Sequence, residues 1–183
     1  MFARALTIFG ANPIHYGHID LIRKSLKSVE QLEIYIGRKP RPSRLPHEVR
    51  VESLQRVLAH EEFTSRVTLI DPKGGLRSLR GTHNILAVGS RFLNNYLLFK
   101  PFELELIRLL SSIIVLQIPG APLTHEARLW SSSFASLIEY DAATHFSSTE
   151  LRAMYCAGKS IADAVPFAAL EVIQDHMQSY FNR

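Results

Sequence analysis

The sequence predicts a single-domain α/β fold built on a doubly wound, Rossmann-like parallel sheet. Three observations predict it. Short apolar runs alternate with amphipathic stretches along the 183 residues. Several of the apolar runs stop at a glycine, namely Gly10, Gly37 and Gly89. No internal repeat, low-complexity tract or interdomain linker interrupts the alternation, so one layered sheet takes residues 1–183.

Residues 5–9, Ala-Leu-Thr-Ile-Phe, read as a buried strand, and 17–28 follow as a helix with Ile19, Leu21, Ile22 and Leu26 on one side. Residues 32–36 form a second strand. Three prolines within 38–46 exclude regular structure there. Residues 47–60 form a helix that turns Val51, Leu54, Val57 and Leu58 inward, and 67–70 and 85–88 are the third and fourth strands. Residues 102–110 are helical, 113–118 a fifth strand and 136–140 a sixth. Two helices close the chain, 147–156 and 166 to about 180. The first carries a Ser147…Glu150 capping box, with Gly158 just past its end, and Pro166 suits the first turn of the last. In such a sheet ligands bind beyond the carboxyl ends of the strands, where the strand order switches. The loops after Phe9, Ile36, Ile70, Val88 and Ile118 are therefore where chemistry is expected.

Composition narrows the function. A hydrophobic share of 46% excludes a disordered chain. A net charge of +4 with no basic arm argues against nucleic acid as a partner. No stretch approaches the roughly 20 apolar residues that span a bilayer. The single cysteine, Cys156, excludes a disulfide framework and a multi-cysteine metal site. Met1 to Leu6 lead into the first strand with no cleavable signal pattern, so a soluble cytoplasmic protein is expected. Of the 21 cations 15 are arginine, and Arg38, Lys39, Arg41, Arg44, Arg50 and Arg56 crowd one stretch. Arginine's planar fork suits phosphate, although a solvated basic loop has the same composition.

The first loop reads Gly10-Ala11-Asn12-Pro13-Ile14-His15-Tyr16-Gly17-His18. His15 precedes the next helix and His18 falls in its first turn. Two imidazoles beside the amides and positive dipole of a helix start make a compact anion site, suited to a phosphate that gains charge in a transition state. The pattern by itself leaves open a two-histidine metal site and a purely structural pair. A second helix start offers Ser147, Ser148 and Thr149, with Arg152 one turn in, as another phosphate-binding constellation.

The run Asn12-Pro13-Ile14-His15-Tyr16-Gly17-His18 resembles the HxGH signature of the nucleotidyltransferase superfamily, which holds mononucleotide and phosphopantetheine adenylyltransferases and class I aminoacyl-tRNA synthetases. Phe146 to Arg152 resembles its ISSTxxR motif. Ala157 to Pro166 is similar to the continuation found in nicotinate/nicotinamide-mononucleotide adenylyltransferases. Val88 to Lys100 is similar to the GxD segment, with Phe99 where that branch has a tryptophan that stacks on the pyridine ring. Arg38 to Pro46 and then Arg50 are similar to its basic proline-rich loop.

The resemblance implies transfer of the AMP moiety of ATP to nicotinate or nicotinamide mononucleotide, with release of pyrophosphate, in NAD biosynthesis. It implies that His18 meets the α-phosphate in the transition state and His15 an ATP phosphate. Arg152, Ser147 and Thr149 would hold the outer phosphates. Gly10, Asn12, Gly17, Gly89 and Ser148 would complete the ATP site, so that residues 147–183 finish it as a C-terminal helical segment. Arg38, Arg44, Arg50 and Phe99 would bind the mononucleotide. Mg²⁺ would enter with ATP, since the sequence offers no carboxylate cage. The implied partners are these small molecules, and a homo-oligomer is compatible. Another adenylyl- or cytidylyltransferase, acting for example on phosphopantetheine, and a nucleotide-binding protein with weak or no catalysis are the alternatives. Three departures stand out. The first loop is one or two residues short, the 71–84 link is tight for a parallel crossover, and Arg91 replaces the GxD acid, where a cation cannot accept a ribose hydroxyl.

Overall fold

The computed structural model describes residues 2–38, 44–99 and 101–181. Six strands form one sheet: β1 (Phe2–Phe9), β2 (Val29–Ile36), β3 (Val67–Ile70), β4 (Ile85–Gly89), β5 (Ser112–Gln117) and β6 (Ser136–Asp141). Their order is β3-β2-β1-β4-β5-β6, and every pairing is parallel. This is the doubly wound α/β architecture that the alternation predicts.

Strand side chains alternate between two apolar layers, as a period of two demands. Ala5, Phe9, Leu32, Ile34, Ala87 and Ile114 face one side, where they meet α1 (Tyr16–Ser25), α2 (His47–Ala59), α6 (Ser148–Cys156) and α7 (Phe167–Phe181). Leu6, Tyr35, Leu86, Val88, Ile113 and Val115 face the other, against α3 (Ser90–Asn94), α4 (Pro101–Arg108) and α5 (His125–Ser132). Thr7 is the buried polar exception in β1, and its hydroxyl donates to the Ala87 carbonyl at 2.7 Å, joining the two central strands.

Several elements differ from the sequence reading. β1 and β2 each start three residues earlier, because Phe2 pairs with Val29 and the polar Arg4, Glu30 and Gln31 interrupt the apolar pattern without interrupting the ladder. α5 lies in a stretch with no assigned element. Thr124 caps it by accepting the Ala127 amide, a local signal independent of apolar periodicity. The 71–84 link carries only a 3₁₀ turn, Gly75–Leu79, yet it crosses from the β3 edge back to β4. Buried Leu79 seats that crossing in the second apolar layer. Of the basic loop, Lys39 and Arg41 lie outside the described residues, as does Lys100 of the GxD-like run.

Candidate active site

From β1 the chain steps outward to β3, returns to β4 beside β1, and then steps outward to β6. Connections therefore leave the carboxyl ends of β1 and β4 in opposite directions, and a crevice opens between them. A cavity of about 240 Å³ occupies this crevice, lined by Gly10, His15, Gly17, His18, Gly89, Ser147 and Ser148 together with apolar side chains such as Phe9, Phe92 and Phe146. Loops from the two ends of the sequence thus converge at one strand-order switch.

The two histidines cap α1 for each other. His15 Nδ1 accepts the Gly17 amide at 3.1 Å, and the His15 amide donates to His18 Nδ1 at 3.2 Å. A neutral imidazole whose Nδ1 accepts carries its proton on Nε2. Both rings are thereby fixed as Nε2–H donors. They lie 3.9 Å apart between centroids, with the edge of Phe9 against His18 at 4.8 Å. Burial, with the Arg91 cation adding to it, pushes His15 down to about 4. Burial and the neighbouring His15 hold His18 well below the usual imidazole range. Both rings are neutral at pH 7.

Gly17 between them is required by space. A Cβ there would stand 2.9 Å from His15 Cε1 and Nδ1. The amides of α1, read from the sequence as anion donors, are filled instead: Tyr16 donates to Ala164 (3.0 Å), Gly17 to His15 Nδ1, and His18 to the His15 carbonyl (2.9 Å). The imidazole edges remain as the donors of this helix start.

At the start of α6, Ser147 Oγ accepts the Glu150 amide at 3.2 Å and donates to the Glu150 carboxylate at 2.6 Å. The capping box is half formed, because Glu150 takes the hydroxyl of Ser147 and not its amide. The Ser148 and Thr149 amides have no acceptor among the described residues, so the dipole end of α6 still presents donors. Ser148 Oγ donates to the Pro13 carbonyl at 2.9 Å. Half-buried Arg152 donates from Nη1 to the carbonyls of Asn12 (2.7 Å) and Ser148 (3.0 Å), and from Nη2 to Thr149 Oγ1 at 3.3 Å. These bonds, with Tyr16 to Ala164, fasten the C-terminal segment onto the first loop.

The other expected residues separate. Asn12 is buried, and its Oδ1 accepts the Leu45 amide at 2.8 Å, which anchors the loop. Arg50 is 1% exposed, and its guanidinium donates to the carbonyls of Leu45, Gly10 and Gly37 at 2.8–3.0 Å. Burial pushes it down to about 10, so it stays charged. It braces the two loops and does not line the cavity. Arg38 pairs with Asp71 beyond the β3 edge. Arg44 Nη2 stands 3.9 Å from where a Cβ on the cavity-lining Gly10 would be, and Arg44 is not itself part of the lining. Phe99 packs on Phe92 (4.8 Å) and Trp130 (6.0 Å) outside the cavity, and Phe92 takes the lining position. Arg91 pairs with Glu150 at 3.3 Å. The sequence reading singled out neither Phe92, Glu150 as an ion-pair partner, nor Thr144, which also lines the cavity.

Among the described residues no cluster of three or more His, Cys, Asp or Glu could hold a metal ion, and no carboxylate lines the cavity. The donor set, Nε2–H groups, hydroxyls and amides, fits an anion. Among the described residues no helix is long and apolar enough to cross a membrane.

Comparison with solved structures finds the same fold in nicotinic acid mononucleotide adenylyltransferase from Plasmodium falciparum. Its complex with APC superposes with a TM-score of 0.75 at 15% identity, covering 100% of this chain and 99% of that one. Its complex with NaAD gives 0.72 at 13% identity over 100% and 99%. No curated protein sequence matches significantly. The cytidylyltransferase-like family model matches residues 10–154, a span that runs from the glycine after β1 through Arg152. The chain accordingly belongs to the cytidylyltransferase-like family and is a nucleotidyltransferase.

Proposed function

We propose that this protein transfers the AMP moiety of ATP to nicotinate or nicotinamide mononucleotide and releases pyrophosphate. The observation that carries the reading is the reciprocal capping of His15 and His18. It holds two neutral Nε2–H donors beside the cavity at the switch point, with the start of α6 also in its lining. The Plasmodium protein of the same fold, named for this activity, supports the choice of acceptor.

In this mechanism an oxygen of the acceptor's phosphate attacks the α-phosphorus of ATP in line. The new P–O bond forms as the bond from the α-phosphorus to the bridging oxygen breaks, and that oxygen leaves on pyrophosphate. No covalent enzyme intermediate is required, so the protein positions the phosphates and stabilises charge. His18 donates its Nε2–H to the α-phosphate as negative charge builds there, and His15 donates to an adjacent phosphate. Ser147, Thr149 and Arg152, with the dipole of α6, hold the outer phosphates, so residues 147–183 complete the ATP site of a single domain. Mg²⁺ bound to ATP would neutralise phosphate charge, and since no carboxylate lines the cavity this chain would meet the phosphates through its imidazole, hydroxyl and amide donors. Arg44, beside Gly10, is the arginine among the described residues of the basic loop that would meet incoming phosphate.

The test is pyrophosphate release with ATP and, in parallel, nicotinate mononucleotide, nicotinamide mononucleotide, phosphopantetheine and flavin mononucleotide. Turnover is expected with a pyridine mononucleotide, and His18→Ala is expected to lower kcat by at least about a hundredfold, the scale of one lost transition-state donor. Turnover with phosphopantetheine alone would reassign the acceptor. The engagement of Ser147 by Glu150 favours one second reading, a nucleotide-binding protein with little catalysis. ATP binding with no pyrophosphate release from any acceptor would identify it.

A further inference from the structure

The α6 side of the cavity is short of uncommitted positive charge. His15 and His18 are neutral. Arg152 already gives Nη1 to the Asn12 and Ser148 carbonyls and Nη2 to Thr149 Oγ1. Arg50 spends its guanidinium on three backbone carbonyls, Arg38 is paired with Asp71, and Arg44 stands beside Gly10 on the side of the first loop. A triphosphate brings several negative charges to this wall, and a cation answers them more strongly than neutral donors do.

Arg91 is placed to supply that charge. It lies on α3 between Gly89 and Phe92, both of which line the cavity. Its partner Glu150 accepts the hydroxyl of Ser147, which lines the cavity from the α6 side. The Arg91–Glu150 pair therefore joins two walls of the cavity, although neither side chain is itself part of the lining. Burial, and after it the Arg91 cation, keeps the His15 imidazole neutral, so the charge of Arg91 reaches the phosphate-binding end. The pair is also loosely made. Nη1 and Nη2 stand 3.5 and 3.3 Å from the two carboxylate oxygens, against roughly 2.7–2.9 Å for a close charge-assisted bond. Among the described residues the guanidinium has no other hydrogen-bond partner. A planar fork that lies on a carboxylate fits two oxygens of a phosphate equally well. Exchange of one anion for the other moves no proton and breaks no covalent bond, and the half-exposed Glu150 carboxylate turns to water.

We propose that Arg91 is a ligand for the outer phosphates of a bound nucleoside triphosphate, taken up by exchanging the Glu150 carboxylate for phosphate oxygens. The proposal rests on the reading of this cavity as an ATP site. The family resemblance supplies no such role, since it expects an acid at this position. The contact discriminates by phosphate number, because a nucleoside monophosphate has no outer phosphate to offer it.

The test is calorimetric titration of the full chain with ATP and with AMP, using the wild type, Arg91→Ala, Arg91→Lys, Glu150→Gln and the double variant Arg91→Ala with Glu150→Gln. Both side chains are partly exposed, so the variants should melt close to the wild type. Arg91→Ala is expected to bind ATP about tenfold more weakly, the size of one charged hydrogen bond, and to bind AMP as the wild type does. Arg91→Lys keeps the charge without the fork and is expected to recover part of the loss. Removing Arg91 also bares the Glu150 charge, and the double variant separates the two effects. It is expected to bind ATP about tenfold more weakly than Glu150→Gln alone. ATP binding by the double variant within twofold of Glu150→Gln overturns the proposal, because Arg91 then acts only by neutralising Glu150. An equal loss for ATP and AMP also overturns it and makes Arg91 a structural support. If the ATP pattern holds while no acceptor yields pyrophosphate, the adenylyl-transfer reading fails alone. If pyrophosphate is released while the ATP pattern is absent, this inference fails alone. A wild-type chain that binds no ATP removes both.

Discussion

Arg91, at the start of α3, pairs with Glu150, in the first turn of α6, at 3.3 Å from Nη2 to Oε1. The same carboxylate accepts the Ser147 hydroxyl at 2.6 Å. An anion is thus held at a helix start by a hydroxyl and a guanidinium, the groups that phosphate would also use. The two side chains are 35% and 52% exposed, so the pair contributes at most about 1 kcal/mol of stability. Its larger effect is on binding, because a bound triphosphate meets the Glu150 charge. Glu150→Gln is expected to tighten ATP binding about threefold or more at low salt, with the gain shrinking at high salt as screening removes the repulsion. Unchanged affinity at low salt would show that the carboxylate and the triphosphate do not compete.

Gly17→Ala separates helix stability from site geometry. Alanine favours a helix over glycine by up to about 1 kcal/mol. The added Cβ would press the His15 ring at 2.9 Å and break a cap worth about 1 kcal/mol. These effects cancel, so thermal stability should stay near that of the wild type. Because His15 also orients His18 through its amide, pyrophosphate release should fall by about a hundredfold, the cost of a misplaced donor. Full activity with an intact melting temperature would remove the cap from the mechanism.

Acid should weaken the fold before the carboxylates titrate. A free imidazole titrates near 6.5, whereas folded His15 titrates at about 4. Between those values the unfolded chain holds more protons, so stability falls as pH falls through that window. For His15 alone the loss by pH 4 is on the order of 3 kcal/mol. Glu33, Asp71 and Glu150, held below the usual carboxylate range by cations and hydroxyls, withdraw their contributions only at lower pH. Urea midpoints at pH 7, 6, 5 and 4.5 check this. A steady decline is expected for the wild type and a flatter one for His15→Asn, which keeps a cap without a proton to gain. Binding of a polyanion favours the imidazolium, so ATP titrations near pH 6 should take up protons and show enthalpies that depend on the buffer.

The histidine pair was legible because its spacing is local. A separation of three places one ring at the cap and the other at the third helical position, and the glycine between them admits the contact. β3 is legible to the residue because its run is bounded on both sides by charged residues, Arg66 and Asp71. What the sequence does not show is which partner a charge finds across the fold. Arg38, Arg44 and Arg50 look alike in a basic loop, yet their surroundings are a surface aspartate, the side of Gly10 and three backbone carbonyls.

Arg50 gives the clearest test of that difference. Its partners, Gly10, Gly37 and Leu45, are 40, 13 and 5 residues away, and with the Asn12–Leu45 bond it bridges the loops after β1 and β2. A lysine keeps the charge but cannot reach three carbonyls in a planar fork. Hydrogen bonds from a charged donor contribute about 1.5–3 kcal/mol each, and a buried carbonyl left unpaired adds to the loss. Arg50→Lys should therefore cost roughly 3–6 kcal/mol in urea denaturation, with two bonds lost and one partly kept. Were Arg50 a ligand for substrate phosphate, the same change would raise KM and leave the urea midpoint in place. A large stability loss, with KM close to wild type at low temperature where the variant stays folded, identifies a brace. It holds Gly10 and the cavity wall in position from behind.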